Sequence, residues 1–288
     1  LGKSGSVVWG RGACAPDGAT AAMLEAIAAL REARFPIRGR LMVAAVTKGL
    51  RANSDGTREI HRLVQLAAQH FVVAEPTDNR IALGARGMTH LEVVFEGKAA
   101  HRGRPTEAAN PLYALGEMLA SLKLATLPNH PALGPATVSP FDVRADSIPP
   151  LTPHRVSLVV DRRLLPGESP VDAQRGLENE LGQILRRHPG VSGQVQHVRA
   201  MYPYSVSESA PTVRLVQEAA AAVFGGPLDT TYLSFGTNAG YLMTEVGLDG
   251  VVLGPGRIED VHETEHVEVS SVHRAAVLYA AIAARALT

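Results

Sequence analysis

The sequence predicts an α/β fold: a mostly parallel sheet domain interrupted by a smaller α+β domain. Three observations carry this expectation. Apolar strand patterns alternate with amphipathic helix patterns over residues 17–74 and again after residue 203, the rhythm of a parallel sheet with helices against it. Between them the order changes to a βαββαβ-like, ferredoxin-like run, the mark of a small open sheet with two helices on one face. Glycine-bearing turns also follow the apolar strands, at Gly10-Arg11-Gly12, Gly236-Thr237-Asn238 and Gly254-Pro255-Gly256, as in sheets whose strand ends meet a ligand crevice.

The elements follow in order. Asp17 to Phe35 carries Ala22, Met23, Leu24, Ile27, Leu30 and Phe35 at helical spacing, and Pro36 ends the run. Arg40 to Thr47 is a short apolar run and reads as a buried strand. Thr57 to Ala68 is helical in pattern, and His70 to Ala74 is a second buried strand. Thr89 to Lys98 alternates as a half-exposed strand. Asn110-Pro111 is a good cap and first-turn pair for a helix through Leu124. Residues 125–153 are rich in Pro and turn signals. Arg155 to Arg163 is a strong strand, Ser169-Pro170 opens a helix to His188, and Gly193 to Met201 is a last strand of the insert. Helices at 211–224, 237–246 and 269–286, with a strand at 250–253, complete the chain. The domain expectation is therefore 1–86 plus 203–288 for the sheet domain and 87–202 for the insert.

Composition narrows the function. The chain has 288 residues, with Lys+Arg and Asp+Glu both 28, so the formal charge is zero. A general electrostatic grip on nucleic acid or on an anionic membrane is not expected. The hydrophobic fraction is 45% and the charged fraction 19%, which is a globular balance. No apolar run reaches the roughly eighteen residues of a membrane span. The single Cys14 excludes an internal disulfide framework and a multi-cysteine zinc site. Neither a basic n-region nor an apolar h-region opens the chain, so a cytoplasmic protein is expected. There is no dinucleotide fingerprint, P-loop or nucleophile elbow.

Several motifs taken together are more specific. Gly10-Arg11-Gly12-Ala13-Cys14 with Ala21-Ala22-Met23-Leu24, then Ala74-Glu75-Pro76-Thr77, then Gly97-Lys98-Ala99-Ala100-His101 with Pro105 and Asn110, follow one another. Asp161-Arg162-Arg163-Leu164-Leu165-Pro166-Gly167 and Gly254-Pro255-Gly256 with His262 complete the series. In this order they resemble metallopeptidase family 20, that of acetylornithine deacetylase, succinyl-diaminopimelate desuccinylase and carboxypeptidase G. The resemblance implies a two-zinc catalytic domain with an inserted lid that dimerises, and hydrolysis of an N-acyl or peptide bond beside a small carboxylate. Two zinc ions polarise the carbonyl and lower the pKa of a bridging water. It further implies Glu75 and His262 as metal ligands, His101 as an oxyanion-stabilising group reaching across the dimer, and Asn110 and Arg163 as substrate contacts.

The chain departs from the pattern at the metal centre. The family's H-x-D segment precedes its G-R-G motif, but only nine residues precede Gly10 and none is His or Asp. N-terminal strands of the sheet are accordingly expected to be missing. The bridging Asp aligns with Ala15, and Gly49-Leu50 stands where the Glu-Glu pair is expected. No acid occurs between Glu32 and Asp55. Zinc is thus expected by resemblance and not at stoichiometric occupancy. The expectation is a site-degenerate relative, inactive as a two-metal hydrolase, that forms a homodimer through 87–202 and can take a small carboxylate ligand. The alternatives are an active deacylase or peptidase with a rearranged metal site, or a non-catalytic dimeric small-molecule-binding protein.

Other readings stay open residue by residue. Glu75 is either a ligand or a loop carboxylate paired with an Arg. Glu263, Glu265 and His266 lie close enough in sequence to coordinate a metal by themselves. Arg163 grips a substrate carboxylate or pairs with Asp161. Pro150 replaces a further substrate Asn of the family. Cys14 reads as a small buried thiol. The family's bridging Asp precedes a cis peptide bond that is not to proline; here Ala15-Pro16 supplies a bond for which cis is far more accessible, and a cis bond is expected.

Overall fold

A computed structural model describes residues 2–4, 6–46 and 53–288. The chain divides into two compact units, Leu1–Ala85 with Tyr204–Thr288, and Arg86–Pro203. It starts with β1 (Gly2–Ser4), β2 (Val7–Trp9), α1 (Gly18–Glu32), α2 (Asp55–Val64), β3 (Phe71–Val73) and β4 (Ile81–Ala85). The second unit holds β5 (Gly87–Glu96), α3 (Pro111–Leu124), β6 (Asn129–His130), β7 (Gly134–Pro135), β8 (Thr137–Asp146), β9 (Arg155–Leu164), α4 (Pro170–Arg187) and β10 (Ser192–Met201). The first unit then resumes with β11 (Tyr204–Ser205), α5 (Pro211–Phe224), β12 (Thr230–Leu233), α6 (Asn238–Thr244), β13 (Gly250–Val252), β14 (His266–Glu268) and α7 (Val269–Ala286).

In the first unit, β12 pairs with β4 and β13 with β3, both parallel. Antiparallel contacts of β4 with β11 and with β13 join these pairs into one mixed sheet. Helices α1, α5 and α7 cover it. Ala22 and Ala26 of α1 meet the core formed with Val216, Ala275, Leu278 and Ile282. These alanines lie one turn apart, so the α1 stripe is narrow and lets helices approach closely. A separate antiparallel ribbon places β2 between β1 and β14, with Val8 opposite Val267.

One sequence expectation fails here. Arg40 to Val46 forms no strand, and Leu41 and Met42 are 39% and 40% exposed. A buried strand must pair its backbone with neighbours, and this segment joins none of the sheets among the described residues. Thr47 itself, with Lys48, Gly49 and Leu50, lies outside the described residues.

The second unit is an antiparallel sheet in the order β10-β5-β9-β8. Strict alternation puts Leu91, Val93 and Phe95 of β5 and Val156, Leu158 and Val160 of β9 on one face. There they pack against Ala114 and Met118 of α3 and Leu177, Leu181 and Ile184 of α4. Burying each of the larger side chains is worth about 1.5–3 kcal/mol. Both helices begin as the sequence implies: Asn110 Oδ1 accepts the Leu112 N–H, Ser169 Oγ accepts the Asp172 N–H, and a Pro follows each cap. The strand hidden in the turn-rich stretch is β8. It carries Pro140, which cannot donate to a ladder, and it lies at the sheet edge with a register shift between Pro140 and Asp142.

Candidate functional site

The site expected from the motifs starts at the turn after β2. Gly12 adopts φ 88°, a left-handed conformation, and the Ala15-Pro16 bond is cis, as expected. Three backbone N–H groups of this turn converge on one carboxylate. Glu265 Oε2 accepts from Gly12 at 2.8 Å, and Oε1 accepts from Cys14 at 3.1 Å and Ala15 at 3.0 Å. Glu265 is buried, which by itself raises a carboxyl pKa. The N–H groups of Ala15, Gly12 and Cys14, aided by the Arg11 charge, outweigh burial and hold it below the ordinary value. The sequence offered Glu265 only as a metal ligand beside Glu263 and His266. Those three do not converge: Glu263 is exposed, and the His266 ring stacks on Trp9 at 4.4 Å.

Cys14 is fully buried, and its Sγ donates to the Arg257 carbonyl at 3.3 Å. Burial pushes its thiol up to about 11, so it is no ready nucleophile. The Gly254–Gly256 loop lies directly against it. Gly256 has φ 76°, and a Cβ there would stand 2.5 Å from Cys14 Sγ.

Glu75 follows β3, and its backbone is packed against Gly254. Protein packed around its carboxyl pushes the pKa up to about 7. Buried Tyr204 and Tyr279 are neighbours whose own hydroxyl pKa values rise, first by burial and then by the Glu75 charge. Both hydroxyls instead donate to main chain, Tyr279 to Leu253 O at 2.7 Å and Tyr204 to Ala82 O at 3.4 Å. His262 is exposed. The Thr264 N–H donates to its Nδ1 at 3.2 Å, and the Thr264 hydroxyl lies 3.0 Å from the same atom. A backbone N–H can only donate, so Nδ1 is the acceptor and the neutral ring carries its proton on Nε2.

The three remaining site residues lie in the second unit. His101 is exposed, and its Nδ1 accepts the Gly103 N–H at 3.1 Å. Its neutral ring therefore presents Nε2–H as a donor. Asn110 spends its Oδ1 on the α3 cap. Arg163 Nε donates to Asp161 Oδ1 at 2.7 Å, and Asp161 Oδ2 takes His90 Nε2 at 2.8 Å. His90 faces Asp161 directly across β5 and β9. The sequence reading missed it, although its even-numbered position on an alternating strand opposite an acid was the available signal.

A two-metal centre does not fit this donor set. Ala15 brings a methyl group where the bridging carboxylate is expected. Among the described residues no three His, Cys, Asp or Glu side chains gather as a metal-holding group. Gly49-Leu50 lies outside the described residues, and neither residue type offers a side-chain ligand.

The sequence pattern of peptidase family M20/M25/M40 matches residues 2–285. The chain belongs to this family. An acetylornithine deacetylase from Myxococcus xanthus is 29% identical over 294 residues, which cover 96% of this chain and 72% of that protein. Among M20 structures, a Staphylococcus aureus tripeptidase superposes with a TM-score of 0.73 at 16% identity, covering 94% of this chain and 71% of its own. A dinuclear metal-binding M20 peptidase from Bacillus subtilis gives 0.71 at 16% identity, over 95% and 72% of the two chains. Likeness at that identity speaks for the M20 fold, while the residues at the site decide its chemistry. Among the described residues of this M20 chain, no helix is long and apolar enough to cross a membrane.

Proposed function

We propose that this M20-family chain does not perform two-metal hydrolysis of N-acyl amino acids or peptides and instead acts as a dimeric, carboxylate-binding relative of the family's enzymes. One observation carries the reading: the turn that would present the bridging Asp presents Ala15, and its N–H is held by Glu265. Among the described residues, Glu75 and His262 are the matched ligands, and no group of three His, Cys, Asp or Glu side chains gathers around them, whereas a zinc site of ordinary affinity takes at least three protein ligands. The groups that would contact an anion persist: His101, whose Nε2–H has no partner among the described residues, and Arg163, whose side chain is 36% exposed. Dimerisation through 87–202 is supported by β8, an outer strand carrying Phe141 at 56% and Val143 at 50% exposure. An open edge with apolar side chains is a surface that another strand can cover.

The test is a hydrolysis panel of N-acetyl- and N-succinyl-amino acids and dipeptides, run with added Zn²⁺ or Co²⁺ on protein shown to be folded. No turnover above the buffer rate is expected. Turnover that rises with added metal overturns the reading in favour of a rearranged active centre. A monomeric mass in solution removes the dimer.

A further inference from the structure

His90, Asp161 and Arg163 share the face of the second unit's sheet that points away from α3 and α4. Alternation sends Leu91 and Val160 to the helix-packed face. His90 therefore stands with Asp161, its direct partner across β5 and β9, and with Arg163, two residues further along β9. The Asp161 carboxylate is divided between these neighbours. Oδ1 accepts Arg163 Nε at 2.7 Å, and Oδ2 accepts His90 Nε2 at 2.8 Å. A carboxylate accepts, so Nε2 carries the proton. The other ring nitrogen, Nδ1, is buried and has no partner among the described residues, and the ring lies 5.0 Å from that of Phe141. The polar contact of the imidazole is thus the one with Asp161.

That division decides what Arg163 can still do. A carboxylate with both oxygens free takes a guanidinium in a bidentate grip, through two of its nitrogens. Asp161 instead meets Arg163 with one oxygen, at Nε, and among the described residues neither terminal nitrogen of Arg163 has a partner. The terminal pair stays open to an incoming carboxylate. With Oδ2 released from His90, Asp161 would be free to turn both oxygens to Arg163 and occupy a terminal nitrogen itself.

We infer, resting on the reading of Arg163 as an anion contact, that His90 is a positioning residue for anion binding. By holding Asp161 Oδ2 it keeps the acid from closing on Arg163 and leaves the terminal guanidinium nitrogens for the carboxylate of a ligand. His90 acts through Asp161 and does not touch the ligand, and no metal is involved.

Two measurements on the whole chain test it. Phenylglyoxal condenses with open guanidiniums, so its rate at Arg163, located by fragmentation mass spectrometry, reads the terminal nitrogens without any ligand. His90→Ala, and His90→Leu, which fills the ring's space without a donor, should each slow that reaction about tenfold. His90→Gln keeps an N–H for Asp161 and should stay near wild type. The double variant His90→Ala/Asp161→Ala should recover, a repair that a merely structural loss would not show. Titration calorimetry with N-acetylglycine should give the same order, with His90→Ala and His90→Leu weakening binding by about tenfold. Melting curves identify a variant that fails to fold. An unchanged Arg163 reaction in folded His90→Ala or His90→Leu, or no recovery in the folded double variant, overturns the inference. Undiminished N-acetylglycine binding in either folded single variant overturns it as well. Reaction rates in the expected order, with no N-acetylglycine binding by the wild type, overturn the carboxylate-binding reading instead and uphold the hold of His90 on Asp161 and Arg163.

Discussion

The Ala15 backbone N–H donates to Glu265 Oε1 at 3.0 Å, across 250 residues of sequence. This contact closes the turn after β2 onto the residue just before β14 (His266–Glu268), the strand that precedes the last helix. It makes Glu265 a structural carboxylate: three N–H groups that would otherwise be left without partners all end on it.

Glu265→Ala should therefore cost about 2–4 kcal/mol, because hydrogen bonds to a charged group are lost and buried donors are left unpaired. Glu265→Gln should cost less, about 1–2 kcal/mol, since one amide oxygen can keep part of the set. The folded pKa lies below the unfolded one. Its contribution is complete above the ordinary carboxylate value and is lost as pH falls through the depressed folded value. Melting curves from pH 7 to pH 3 should show the gap between wild type and Glu265→Gln narrowing towards acid. A gap that stays constant with pH contradicts a charged Glu265.

Glu75 carries the opposite sign. Its folded pKa of about 7 lies above the unfolded value, so the native state favours the protonated acid. Stability is full below the ordinary carboxylate pKa, falls as pH rises through about 7, and is level above it. Glu75→Gln should raise stability at pH 8, by up to about 3 kcal/mol, and leave it nearly unchanged at pH 4. A variant less stable than wild type at pH 8 would mean that the carboxylate is held by a cationic partner.

Gly256 tests the packing of the glycine loop on Cys14. Gly256→Ala should cost about 2–4 kcal/mol, from its left-handed φ and from the close approach to Cys14 Sγ. Cys14→Ala in the same chain should recover part of that loss, because it removes the sulfur and leaves the backbone strain. Additive losses in a denaturant double-mutant cycle would show that the two residues do not touch.

Much of this was legible in the sequence because local physics and tertiary context agreed. Asn110-Pro111 and Ser169-Pro170 start helices by capping rules alone, and the alternation in β5 and β9 set the buried face. Arg40 to Val46 misled because apolar content predicts burial only when a neighbouring strand exists to complete the ladder. The strand β8 was hidden by Pro140, which an edge tolerates and a central strand would not. At the site, the identities of Ala15, Glu75 and His262 could be aligned, but their partners could not. The Glu265 contact spans most of the chain, so no local pattern announces it.

The central claim is that this M20 chain lacks a working two-metal centre. The most direct measurement is zinc per chain, by elemental analysis after reconstitution and exhaustive removal of loose metal. The account predicts a value near zero. One or two tightly held zinc ions per chain would contradict it, showing that Glu75 and His262 have found further ligands and that metal-dependent hydrolysis is open to this protein.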